Sequence, residues 1–236
     1  MGHERKALLY GAKRNKLGFR NSIRIIIFVF NNKNNLKKIL PFFSYLFHPI
    51  FIPLLGAIFY VLLEEKYFNL PQYIILFLQI IIITFLLPIA FFYLLRTFGK
   101  IETMMLSNIS QRKIPLLLQI MLFAVLIEKS ITIDRFQNLY FFFVGGLLST
   151  IFAFLLLYAK FKASIHMIGI SSLTVFIIGL SIHNQINTIN TVTFFVMMNG
   201  LVASSRIVMK AHSNKELLVG FLSGVIPQSA LLYFWL

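Results

Sequence analysis

Seven apolar stretches divide this chain, each long enough, or nearly so, to cross the roughly 30 Å of bilayer hydrocarbon at about 1.5 Å of helix rise per residue. They run over residues 41–63, 72–96, 114–130, 137–160, 165–183, 189–206 and 217–236, and the third is short. Lipid offers no water to satisfy backbone N–H and C=O groups, so such stretches must form helices that bond internally. A hydrophobic fraction of 58%, 27 phenylalanines and a mean hydropathy of +0.84 exclude an ordinary soluble domain. The reading is an all-α, polytopic transmembrane helix bundle of six to seven spans. Residues 41–236 form the helical domain, and residues 1–40 a basic cytoplasmic or interfacial tail. Gly145-Gly146 and the small residues Gly169, Ser171 and Ser172 mark places where helices can approach closely.

Charge is unevenly placed along this frame. The tail holds ten Lys and Arg against one acid, Glu4. Its apolar run, Ile25 to Phe30, is shorter than the roughly 7–15 residues of a signal sequence. Lys6 stands where a myristoylation motif has Ser or Thr. Alternating the spans puts the tail, the 97–113 loop, the 160–164 junction and the 206–216 segment on one side. Of the 22 Lys and Arg, only Lys66, Lys129 and Arg135 fall opposite. The positive-inside rule makes the richer side cytoplasmic, and the expected location is a bacterial inner (plasma) membrane. Membrane lipids are the partners such a chain implies, and nucleic acid is not. With no cysteine, disulfides, thiolate metal sites and cysteine catalysis are excluded.

On that basic side stands Ser205-Arg206, then five residues, His212, three residues and Glu216, with Gly220 one turn on. Ionisable residues at a membrane edge are costly to keep and mark function. A helix through this segment would gather Ser205, His212 and Glu216 into one narrow arc, since their separations are seven and four. A carboxylate four residues past a histidine can hold its ring in one tautomer, and an arginine beside it can clamp a phosphate. Two spans upstream, hence on the same face, lies Lys160-Phe-Lys162-Ala-Ser164-Ile-His166. Ser164 is placed to cap the fifth span, whose free N–H groups and dipole favour an anion. The plainer readings are a rim of orienting cations for Arg206, Lys210 and Lys215, and a helix-end histidine for His166. His48 and His183 read as structural or interfacial, and Glu64, Glu128 and Asp134 as solvated turn charges opposite. No set of residues has metal-ligand spacing, so neither metal nor cofactor is expected.

The Ser205-Arg206-x5-His212-x3-Glu216 element, followed by Gly220, resembles the third motif of the type 2 phosphatidic acid phosphatase superfamily. Ala163-Ser164-Ile165-His166 looks like a degenerate form of that family's second motif, Pro-Ser-Gly-His. Together they cover residues 137–236, a phosphatase-like core. The first motif, Lys-x6-Arg-Pro, is also degenerate: Arg112-Lys113-Ile114-Pro115 matches its end, but Met105 stands where its Lys would be. The resemblance implies a metal-independent membrane phosphatase acting on a lipid phosphomonoester or a polyprenyl pyrophosphate. His212 would be the nucleophile forming a phosphohistidine, Glu216 (Asp in the family) its orienting acid, and His166 the general acid. Arg206, Ser164 and Ser205 would hold phosphate oxygens, with Lys160, Lys162 or Arg112 supplying the charge of the missing first-motif Lys. The family's catalytic face is commonly extracytoplasmic, whereas the charges of this chain place it inside. Two other readings stay open: a family member that has lost catalysis and binds anionic headgroups, and a small transporter.

Overall fold

The computed structural model describes residues 33–64, 70–99 and 109–236. The basic tail before Lys33, and the cations Lys66 and Lys100, lie outside the described residues. What is described is helical, with no strand. In chain order it comprises α1 (Lys33–Leu46), a 3-10 turn (Pro49–Phe51), α2 (Ile52–Leu63), α3 (Leu70–Ile80), a π-turn (Ile81–Leu86) and α4 (Leu87–Thr97). There follow α5 (Ile109–Lys129), α6 (Gln137–Tyr158), α7 (Ile165–His183), α8 (Ile189–Val208) and α9 (Asn214–Leu232). Seven segments are long and apolar enough to cross a membrane, the first two being Lys37–Leu63 and Leu70–Thr97. The protein is an integral-membrane helix bundle.

Two spans are broken, and proline is the cause of both breaks. His48 precedes Pro49 and takes the extended conformation that such a residue prefers (φ −64°, ψ 138°), which ends α1 and starts the 3-10 turn. Pro88 has no N–H and crowds the carbonyl four residues back. The π-turn before it widens the ladder locally, and Thr84 Oγ1 donates to Ile80 O at 2.8 Å. The breaks face one another, with Phe51 stacked on Phe85 at 5.6 Å between ring centres.

α7 is the central helix. Two-thirds of its apolar window is buried in the protein (67%), against 17–39% for the other spans. Small residues let its neighbours close in. Ser171 Oγ donates to Phe221 O at 3.1 Å and Ser172 Oγ to Gly224 O at 3.3 Å, tying α7 to α9. Asn199 Nδ2 donates to Thr174 Oγ1 at 2.7 Å, joining α8, and Gln228 Nε2 donates to Phe142 O at 2.8 Å, joining α9 to α6. Each such bond contributes only about 0.6 kcal/mol in a membrane, so close packing holds most of the bundle together.

Two boundaries depart from the hydropathy reading. α5 begins five residues before its apolar run, so Arg112 and Lys113 sit in a helix and not in a loop. Residues 206–216 are not one helix either. α8 stops at Val208, Lys210 turns through a left-handed conformation (φ 53°), and α9 starts at Asn214. Ser205, His212 and Glu216 therefore share no helical arc.

Candidate active site

The turn between α8 and α9 builds the centre of the site. Ser213 caps α9: its Oγ accepts from the Glu216 N–H at 3.4 Å, and the Glu216 carboxylate accepts from the Ser213 N–H at 3.0 Å. This reciprocal pair is a capping box, for which a Glu three residues into the helix is suited because it can reach back. The same carboxylate oxygen lies 3.0 Å from His212 Nδ1. A carboxylate can only accept, so the imidazole proton sits on Nδ1 and Nε2 keeps its lone pair. The His212 side chain is 1% exposed. Burial first, then the positive charges of Arg112 and Arg206, push its pKa down to about 4 against the pull of Glu216. At neutral pH the ring is uncharged.

α9 locks this turn onto the second cluster. The Ser164 N–H donates to Glu216 O at 3.1 Å. One turn further along, a Cβ on Gly220 would lie 2.6 Å from Ser164 O, so only glycine permits the approach. Ser164 occupies the N-cap position of α7, but its side chain caps nothing. Its Oγ is fully buried and without a partner among the described residues.

His166 follows in the first turn of α7, within electrostatic reach of Arg206, His48 and His212. Its ring stands perpendicular to that of His48, 5.1 Å away. His48 Nδ1 accepts from the Ile50 N–H at 3.3 Å, which leaves the His48 proton on Nε2.

The cations surround this group. Arg206 is 5% exposed; its Nη1 reaches only the Met209 sulfur, at 3.8 Å, and its Nε has no hydrogen-bond partner among the described residues. No carboxylate among the described residues pairs with this guanidinium, and since a buried unpaired charge is costly, it favours an anionic ligand. Arg112, equally buried, stands close enough to Arg206 and Glu216 to feel both charges. Lys162 is half-buried, and burial followed by the charge of Arg112 lowers its pKa.

Ser44, His48, Arg112, His166, Arg206 and His212 are among the residues that line a cavity of about 380 Å³. Of the residues singled out from sequence, Arg112, His166, Arg206 and His212 line it; Glu216 stands behind His212, while Ser164 and Lys162 are not in the lining, although Lys162 feels the charges of Arg112, Glu216 and Arg206. Ser205 is fully buried and outside the lining; its Oγ meets Ser44 Oγ at 2.6 Å and ties α8 to α1. Lys160 is exposed in a left-handed conformation (φ 56°) and takes no part in the lining. Sequence reasoning missed His48 and Ser44. The signal for His48 was available, since a His-Pro pair inside an apolar span is itself an exception. Compared with models of known families, with characterised proteins and with solved structures, the chain matches none.

Proposed function

We propose that this protein is an integral-membrane phosphatase that hydrolyses a lipid phosphomonoester or a polyprenyl pyrophosphate through a phosphohistidine. One observation carries the reading: a neutral histidine, its Nδ1 held by Glu216, lines one cavity with the buried Arg206, whose Nε has no partner among the described residues. In the proposed reaction His212 Nε2 attacks phosphorus, and the bond from phosphorus to the leaving oxygen breaks. His166 relays to that oxygen the proton that a phosphate monoanion brings with it. Water then attacks phosphorus as the bond to His212 Nε2 breaks, His166 takes a proton from that water and returns it to the phosphate, and inorganic phosphate leaves. Arg206 and Arg112 offset the charge that develops on the equatorial oxygens.

The test is phosphate release from phosphatidic acid, phosphatidylglycerol phosphate and undecaprenyl pyrophosphate with chelator present, comparing wild type with His212→Ala. Release that survives chelation and drops on the order of 10⁴-fold in the variant is expected. Wild type that binds phosphate but releases none from any of the three would favour the headgroup-binding reading, for which Arg206 also speaks.

We place the site face in the cytoplasm of a bacterial inner membrane, on the concentration of Lys and Arg along that face. Lys215 is exposed beside the site, and the chain contains no cysteine. Lys215→Cys should react with an impermeant thiol reagent only after cells are opened; labelling of intact cells would reverse the orientation.

A further inference from the structure

The end of α1 and the His48-Pro49 break reach the site from a span that carries none of the motif residues. Ser44 Oγ meets the Oγ of Ser205, the chain neighbour of Arg206, and the Ser44 backbone hydrogen-bonds the ring of His166. His48, one turn on, lines the cavity with Arg112, His166, Arg206 and His212. Pro49 has no N–H, so the Ile50 N–H is the first donor of the 3-10 turn in need of a partner. His48 Nδ1 accepts it at 3.3 Å, and His48 O accepts from the Phe51 N–H at 2.9 Å. Backbone and ring are both tied to the turn.

Those bonds decide what His48 can offer a ligand. With Nδ1 accepting, the ring proton sits on Nε2, on the side away from the turn. Nε2 makes no hydrogen bond among the described residues. The ring of His166 stands perpendicular beside it, 5.1 Å away, and helps to hold its plane. A neutral donor suits this place. Arg112 and Arg206 already bring two buried guanidiniums, and a third cation next to them would add like-charge repulsion. An uncharged N–H adds direction without that cost, and a hydrogen bond to an anion is about twice as strong as one between neutral groups.

We infer that His48 is a ligand of the phosphate: its Nε2–H donates to a phosphate oxygen, while Arg206 and Arg112 supply the charge. The inference rests on the proposed function for the presence of a phosphate in this cavity, and deepens it by adding a binding residue from the first span. The chemistry is the same for free phosphate and for a lipid head, since both present such oxygens. The His-Pro pair gains a purpose in this arrangement. Proline ends the helix, and the turn it starts supplies the N–H that sets the histidine's tautomer.

The experiment titrates inorganic phosphate into the full-length protein in detergent and reads affinity from the rise in melting temperature. His48→Asn and His48→Ser keep a short side-chain oxygen that can accept the Ile50 N–H, but neither reaches the ligand. His48→Gln carries its amide N–H groups about as far from the backbone as His carries Nε2, and gives up the short acceptor. Without phosphate, the Asn and Ser variants should melt within about two degrees of wild type. They should bind phosphate about tenfold or more weakly, whereas the Gln variant should melt lower yet bind within about threefold of wild type. A residue that only caps the turn predicts the opposite order, with Asn and Ser binding like wild type and Gln weakened. That order, or equal weakening in all three, would overturn the inference, as would a wild type whose melting temperature ignores phosphate. If Asn or Ser fails to fold, the other decides. Phosphate release from phosphatidic acid by wild type is scored separately. Weakened binding in the Asn or Ser variant of a protein that releases nothing upholds His48 and sinks the hydrolase reading; release by wild type with unchanged binding in those variants does the reverse.

Discussion

Arg206→Met is expected to make the phosphate-free protein more stable while removing its ability to bind phosphate. Met matches the length of the arginine stem and asks for no anion. The residue it replaces is 5% exposed, and among the described residues its Nε has no partner and its Nη1 meets only a thioether sulfur. A buried charge left without its partner commonly costs about 3–5 kcal/mol, and an apolar side chain that fills the same space removes that cost. The unliganded variant should therefore melt a few degrees above wild type in detergent. Adding inorganic phosphate should raise the melting temperature of wild type, through binding to the folded state alone, and leave the variant unmoved. Affinity should fall on the order of 100-fold or more, because a charge-assisted, bidentate contact is lost. A variant less stable than wild type without phosphate would show that Arg206 is satisfied inside the protein and is not waiting for a ligand.

Glu216→Gln should separate positioning from folding. Gln keeps the length of Glu and remains a competent third residue of a capping box, so stability should change by less than about 1 kcal/mol. Its amide can donate to His212 Nδ1, however, which drives the imidazole proton to Nε2 and removes the lone pair that faces phosphorus. A loss on the order of 10³-fold or more in kcat, with KM little changed, is the expected result. The pH profile supplies an independent check. His212 titrates near 4 in the folded chain, so the acid limb of wild-type kcat/KM should fall near pH 4 and not at the 6.5 of a free imidazole. Glu216 raises that value, so the limb of Glu216→Gln should lie lower still. Stability obeys the same sign: the protonated ring is disfavoured in the fold, so stability is complete above about pH 6.5 and declines as pH drops towards 4. A Gln variant with full kcat would remove the orienting role of Glu216.

Hydropathy gave the spans because a helix in lipid must be apolar over its whole length, and the fifth span came out residue for residue. It failed at Ile109, since a helix continues through polar residues at the interface where an apolar run has already stopped. The His212–Glu216 contact was legible as a spacing, though the cap of a new helix makes it and not the arc of a continuous one. His48 could not be matched to His166 from sequence, because 118 positions separate them and only packing brings them within 5.1 Å. Nor could the cavity be read. Phe123 facing a cavity and Phe152 facing lipid are the same residue in the same kind of helix, and periodicity cannot say which apolar surface a ring touches.

The bond from the Ser164 N–H to Glu216 O runs from main chain to main chain. A link of that kind asks nothing of the side chains at either end. Ala163 and Ile165 can therefore stand where the motif this segment resembles has Pro and Gly, while the two halves of the site stay in register. The latitude ends at Gly220, where any Cβ would wedge the halves apart. In a search for distant relatives, the glycine one turn after the acid is thus a better guide than the residues flanking the serine.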